Sequence, residues 1–324
     1  MKARLSAMSV RSLTRASLTF LLVLVTMTLI SLGVSSAFAQ QRQRRTSASQ
    51  ANRSLTIRTE ANSTVWLDEV RRGTTDTSGL FKIEKVTPGR HTLRVRASGF
   101  REKVQTLLPA ARGSINIKLA PTTDEAELLF QQAETAREKA RDDEARRAAV
   151  ELYRQALAKR PRIAAAHVGL ARLLSELNDY DAALDEIDRA RKLRPVYPEA
   201  SAVEGRILRA DADNEGAIAA FRRAIREARG FQPEAHTGLA LLLEEKGRND
   251  EAVAEFRKAL AQLDDTEPVV YQLLGALYEK MENYREAVAA YEKYLQLAPE
   301  GNLAPAVRSI IDQLRRQAAE QESP

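Results

Sequence analysis

The sequence predicts a multidomain chain: a small antiparallel β-sandwich followed by an all-α, right-handed helical-hairpin solenoid. Two periodicities predict it. Ala149, Ala183, Ala217, Ala252 and Ala287 lie 34, 34, 35 and 35 residues apart, and a bulky apolar residue follows each four positions on: Tyr153, Ile187, Phe221, Phe256 and Tyr291. Between Ser54 and Leu119, by contrast, apolar residues alternate with polar ones. A period near 34 marks stacked helical hairpins, and a period of two marks half-buried strands.

Each helical unit reads as a helix A, a turn and a helix B. In helix A, residues spaced 3, 4 and 7 apart share one face. His167, Leu170, Ala171 and Leu174 fit this, as do His236, Leu239, Ala240 and Leu243, and Tyr271, Leu274, Gly275 and Tyr278. In helix B the small residues Ala156, Ala190, Ala224 and Ala259 follow the first alanine by seven, with Tyr294 in the last copy. Small residues at both positions let the two helices approach closely. Closing prolines are expected at Pro161, Pro195 and Pro299, with that of the third unit displaced to Pro233.

With these residues, the segment 124–300 resembles five tetratricopeptide repeats, at about 124–161, 164–195, 198–230, 233–265 and 268–299. The third departs from the family pattern with Ser201, Glu204, Gly205 and Leu208, and the first helix A, near Glu125 to Ala140, lacks the expected Leu and Gly. A hairpin alone leaves one face bare, so a terminal helix is needed to cover the last unit. Residues 301–324 supply it: Ala306, Ile310, Ile311 and Leu314 are helically spaced before the chain turns polar.

In segment 54–120 the expected strands carry Leu55 and Ile57; Val65 and Leu67; Phe81 and Ile83; Leu93 and Val95; and Ile115, Ile117 and Leu119. Turns are expected at Arg72-Gly73, Thr77-Ser78-Gly79 and Thr87-Pro88-Gly89. The segment resembles a PEGA-type domain through Val65-Trp66-Leu67-Asp68, Arg72-Gly73-Thr74, Val86-Thr87-Pro88-Gly89-Arg90-His91 and Ala97-Ser98-Gly99-Phe100. Glu69 stands where that family usually has glycine. A carboxypeptidase regulatory-like sandwich is a second resemblance, suggested by Thr75 to Phe81. Neither implies catalysis; the first implies an exported envelope protein for which carbohydrate or surface association has been proposed.

The amino terminus reads as a secretory signal over 1–39. Lys2, Arg4, Arg11 and Arg15 precede an almost wholly apolar stretch, Leu18 to Leu32, and Ala37-Phe38-Ala39 is a small-x-small cleavage site. Cleavage would leave no stable membrane span and an exported, periplasmic or extracellular, envelope-associated chain. A flexible basic linker is expected over 40–53. Losing the signal lowers the net charge from +6 to +2, with residues 40–120 at +10 and 121–324 at −8. The basic front is therefore expected to meet an anionic surface: cell-wall polymer, lipid headgroups or the chain's own acidic solenoid.

Function classes narrow by what is missing. With no cysteine and no His-x-x-x-His pair, no metal site is expected, and neither a Gly-rich phosphate loop nor a Gly-x-Ser-x-Gly elbow occurs. His167 and His236 occupy equivalent core positions, and Asp142-Asp143 and Asp264-Asp265 mark helix boundaries. No catalytic residue, cofactor or nucleic-acid partner is expected. The expectation is a protein-binding scaffold, with a cell-wall or glycan-binding module as the alternative.

As in the tetratricopeptide family, residues one step round helix A from the packed stripe are expected to line the concave face. These are Val168, Arg172 and Ser175; Ala202, Arg206 and Arg209; Thr237, Leu241 and Glu244; and Gln272, Ala276 and Glu279. The groove would be basic in its middle and acidic towards its end. Trp66, the only tryptophan, falls opposite Val65 and Leu67 on the outer face of its strand, where an indole stacks on a sugar, fills a protein contact or covers the sheet.

Overall fold

A computed structural model describes residues 53–87 and 89–321. The signal segment, most of the basic linker and Pro88 of the expected Thr87-Pro88-Gly89 turn lie outside the described residues. Arg53, assigned above to the linker, is the buried first residue of a strand.

Seven strands precede eleven helices among the described residues. The strands are β1 (Arg53–Arg58), β2 (Thr64–Leu67), β3 (Val70–Thr74), β4 (Leu80–Val86), β5 (His91–Arg96), β6 (Lys103–Leu107) and β7 (Gly113–Asn116). They form a three-stranded sheet, β4-β1-β7, and a four-stranded sheet, β3-β2-β5-β6. All pairs are antiparallel except β1 with β7, so the sandwich is not wholly antiparallel. The alternating residues meet inside: Leu55 and Ile57 from one sheet, Val65, Leu67, Leu93 and Val95 from the other, with Ile83, Leu107, Ile117 and Leu119 closing the core.

Two strands were not legible as strands. β3 (VRRGT) and β6 (KVQTL) are short edge strands whose exposed residues leave little apolar alternation. Arg72-Gly73 lies within β3 rather than forming a turn. The turn is Asp68-Glu69, two residues between the paired Leu67 and Val70, both with positive φ (52° and 66°). Such a hairpin turn usually takes Asn or Gly. Here Asp68 offsets the strain by accepting from the Thr92 amide at 2.8 Å and from His91 Nδ1 at 2.5 Å, while Glu69 pairs with Arg94 at 3.0 Å.

The helices pair as α1 (Glu125–Lys139) with α2 (Asp143–Lys159), α3 (Ala164–Glu176) with α4 (Tyr180–Leu193), and α5 (Pro198–Ala210) with α6 (Asn214–Glu227). The series continues with α7 (Pro233–Glu245) and α8 (Asn249–Gln262), then α9 (Pro268–Lys280) and α10 (Tyr284–Leu297). The alanines at the origin of the pattern, Ala149 to Ala287, are all fully buried. Asp124, Asp142, Asp179 and Asp213 cap their helices by accepting from amides of the first turn. Pro233 is not a displaced closing residue: it opens α7, as Pro198 and Pro268 open α5 and α9, where a missing N–H costs nothing. The third unit ends instead on Arg229 and Gly230, both with positive φ.

The polar residues that stand in the apolar slot of the first helix of a unit are hydrogen-bonded. His167 Nδ1 meets Glu186 of the partner helix at 2.5 Å and Nε2 the Pro161 carbonyl at 3.0 Å. His236 repeats this with Glu255 at 2.5 Å and the Gly230 carbonyl at 3.3 Å. Ser201, in the same slot of the third unit, donates to Glu227 at 2.7 Å and accepts from Arg191 at 2.5 Å. The departure from pattern there is a polar exchange at a buried site, with every partner present.

The last helix, α11 (Ala304–Gln321), packs on α10 through Ala304, Val307, Ile311 and Leu314. Ala306 is exposed and Ile310 only partly covered, so the buried stripe sits differently from the expected one.

Candidate partner-binding groove

The first helices of successive pairs pack on one another and line a common inner face. On that face a cavity of about 400 Å³ gathers Arg172 from α3, Arg206 and Arg209 from α5, Thr237 and Leu241 from α7 and Val270 from α9, with Phe221, Leu263, Glu234 and Glu267 beside them. Five of the side chains expected on the concave face therefore share one cavity. Glu244, Gln272 and Glu279 do not line it: Glu244 pairs with Lys280 at 3.3 Å and Glu279 accepts from Tyr291 at 3.0 Å. Val168 and Ala202 are buried in the solenoid core rather than lining a surface.

The cavity is not simply basic in its middle. Arg172 forks onto Glu234 at 3.2 and 3.1 Å and reaches Glu199 at 3.6 Å. Burial lowers its pKa, but Glu234 and Glu199 outweigh burial and hold it above the ordinary value. Burial likewise raises the Glu234 carboxyl, and Arg172 and Arg206 reverse that, bringing it to about 2. Arg172 is thus part of the wall.

Arg206 is different. Its Nη1 lies 3.5 Å from Glu234, already committed to Arg172, and its buried Nη2 has no hydrogen-bond partner. Burial and then Arg172 lower its pKa. Arg209 lies 3.3 Å from the half-exposed Glu245. A guanidinium on the wall of a partly apolar cavity whose hydrogen-bonding capacity is not fully used can receive a carboxylate or a carbonyl from a bound chain.

Two further lining residues come from the β-sandwich: Glu69 and Val70 at the tip of the β2–β3 hairpin. The outer face of the second sheet also lies against the solenoid, where a cavity of about 320 Å³ is lined by Trp66, Arg71, Arg94 and Arg96 on one side and Phe130, Glu134, Glu138 and Gly169 on the other. Trp66 is on the outer face of β2, as alternation requires, but that face is covered and the side chain is only 9 % exposed. The Arg94 guanidinium stacks 4.4 Å from its ring centroid, and Arg96 sits between Trp66 (5.2 Å) and Phe130 of α1 (4.7 Å). No open indole is presented to a sugar.

Side-chain contacts fasten the two parts. Arg96 pairs with Glu134 at 3.2 Å; Gln131 accepts from the Gly99 amide at 3.0 Å and donates to the Phe100 carbonyl at 2.7 Å. Arg71 reaches Glu138 of the first unit at 3.8 Å, and its neighbour Arg72 reaches Asp264, after α8 of the fourth unit, at 2.8 Å. The acid pair expected only at a helix boundary thus supplies a long-range partner. Burial raises the Glu69 carboxyl; Arg94 opposes this, and Glu199 of the solenoid adds to it. Among the surfaces considered for the basic front, the solenoid of the same chain is one that it meets in the structure.

No helix among the described residues is long and apolar enough to cross a membrane. Residues 140–207 and 231–300 each match a family described as tetratricopeptide repeat. A thermophilic TPR protein of Thermus thermophilus is similar in structure, with 23 % identity, a TM-score of 0.50 and coverage of 58 % of this chain and 98 % of that one. Pseudomonas aeruginosa pilF is similar with 18 % identity and a TM-score of 0.50, covering 60 % and 88 %. No curated protein matches the chain. The repeat matches and the paired, stacked helices together show that this chain carries tetratricopeptide repeats, at 140–207 and 231–300, within a tetratricopeptide-like solenoid.

Proposed function

We propose that this chain is an exported protein–protein interaction scaffold of a cell envelope, which receives a partner segment on the inner face of its solenoid. Tetratricopeptide repeats are protein-interaction scaffolds, and this supports the general class. The observation that carries the specific reading is the 400 Å³ cavity lined by Arg206, whose guanidinium is not fully paired, together with Leu241 and Val270. A polar donor among apolar walls fixes the orientation of a bound chain while the walls provide its affinity. The envelope location rests on the signal-like residues 1–39 and the PEGA-like motifs.

The test is in-cell cross-linking of the full chain, comparing wild type with Arg206→Ala and with Leu241→Asp. Both variants should lose the same cross-linked partner with the protein still abundant. An unchanged set of partners in both would overturn the groove reading. Cell fractionation tests the location separately, and recovery of the chain in the cytoplasm with residues 1–39 still attached would overturn export.

A further inference from the structure

The inner face of the solenoid is already occupied in this chain. The β2–β3 hairpin places Glu69 and Val70 in the wall of the groove cavity, and the two residues that follow reach in different directions along the solenoid. Arg71 pairs with Glu138 in the first repeat and Arg72 with Asp264 after the fourth, so neighbouring residues of one strand hold two repeats that are far apart in the chain. Arg72 also reaches the Gln262 carbonyl at 3.4 Å.

We propose that the β2–β3 hairpin is a reversible internal plug of the groove, and that the partner replacing it is an extended basic segment with an apolar residue beside its arginines or lysines. This rests on the groove reading above and names the partner's chemistry. The charge distribution fits, because residues 40–120 carry +10 and the solenoid side, 121–324, carries −8. A displacing segment inherits the carboxylates Glu138 and Asp264 as acceptors and the walls near Leu241 and Val270 for its apolar residue.

The construction of the contact suits release. The connections between sandwich and solenoid run through long side chains, Arg71, Arg72, Arg96 and Gln131, while each part keeps its own apolar core. Separation exposes these charged groups and Trp66 to water, while the cores of the two parts remain separate clusters. Domain interfaces of this polar kind permit relative motion.

Trp66 reports the state, since it is the only tryptophan and is covered where the two parts meet. The experiment is acrylamide quenching of Trp66 fluorescence in the full chain, wild type against Arg71→Glu/Arg72→Glu. The variant should be quenched at least threefold more strongly, with emission shifted to the red. Adding Glu138→Arg/Asp264→Arg should restore wild-type quenching. Unchanged quenching in the reversed variant would overturn the plug, as would a rise that coincides with loss of the sandwich's own strand signal in circular dichroism.

A labelled peptide with the sequence of residues 70–74, apolar Val70 beside Arg71 and Arg72, tests the partner chemistry. It should bind the Arg71→Glu/Arg72→Glu chain at least tenfold more tightly than wild type, and a peptide with both arginines replaced by glutamate should bind neither. Equal binding to both chains would overturn the proposal. A failed quenching test removes the plug and leaves the groove standing, whereas unchanged cross-linked partners in Arg206→Ala and Leu241→Asp remove the groove and leave the plug.

Discussion

Arg72 and Asp264 stand 192 residues apart in sequence and 2.8 Å apart in space. Their side chains are 11 % and 18 % exposed, whereas those of Arg71 and Glu138, 3.8 Å apart, are 50 % and 39 % exposed. Exposed pairs contribute about 0–1 kcal/mol, and breaking a well-covered one costs more because the remaining charge is left without a partner. A double-mutant cycle to alanine by chemical denaturation should therefore give a coupling of about 1–3 kcal/mol for Arg72–Asp264 and under about 1 kcal/mol for Arg71–Glu138. Equal couplings would contradict the difference in burial.

Gly205 of α5 faces Phe221 of α6 so closely that an added Cβ would sit 2.7 Å from Cδ1 of the ring. Phe221 is fully buried, and its ring is also pressed against Gly238 of α7, where an added Cβ would sit 2.2 Å from Cζ. Alanine ordinarily stabilises a helix interior relative to glycine by about 0.5–1 kcal/mol, but overpacking costs about 1–3 kcal/mol. Gly205→Ala should thus destabilise the solenoid, and a denaturation midpoint equal to or above wild type would refute the close-packing account.

Glu234 carries the acid sensitivity of the groove. Its carboxyl is held at about 2, below its ordinary 4.5, so its contribution is present above pH 4.5 and is lost as pH falls towards 2. With a third of the side chain exposed, that contribution is about 1–2 kcal/mol after allowing for screening. Stability measured between pH 5 and pH 3 should fall more steeply in wild type than in Glu234→Gln; parallel curves would count against the Arg172–Glu234–Arg206 cluster.

His91 works in the opposite direction. Nδ1 faces Asp68 at 2.5 Å and Nε2 faces the Thr87 carbonyl at 2.8 Å, so both nitrogens have acceptors. The Asp68 hydrogen bond raises its pKa, and burial opposes this only in part. Its stabilisation of the Asp68-Glu69 turn is fully present below about pH 6.5 and is lost as pH rises through the higher folded value. An NMR titration should place the His91 midpoint above 6.5, and His91→Gln should flatten the stability profile between pH 6 and 9. A midpoint at or below 6.5 would exclude this role.

The repeat was legible because each copy presents the same physical problem. A hairpin whose helices approach closely needs a small residue at a fixed depth, and Ala149, Ala183, Ala217, Ala252 and Ala287 all meet that need with no exposed surface. Leu55, Ile57, Val65, Leu67, Leu93 and Val95 were legible for the same reason, since a one-sided strand must alternate. β3 and β6 were missed because they lie at sheet edges, where little burial demands apolar residues.

The groove was less legible. Helical geometry put Arg172, Arg206 and Arg209 on one side of their helices, and they do share a cavity. It could not distinguish Arg172, neutralised by Glu234 from 62 residues away, from Arg206, whose Nη2 is left without a partner. Glu234 had a weak signal, as a carboxylate one residue after an opening proline, but that position also suits an ordinary first-turn acid.

By itself the sequence determined the period, the buried seam, the two-layer sandwich core and the opposite charges of the two parts. These follow from local backbone geometry and burial, which repeat at fixed spacing. Only the tertiary structure decided that the outer face of β2 is covered, that Trp66 lies beneath Arg94 and Arg96, and that Arg72 reaches Asp264. Such contacts depend on how two separately folded cores are placed together, and no periodicity in either one encodes where the other will rest.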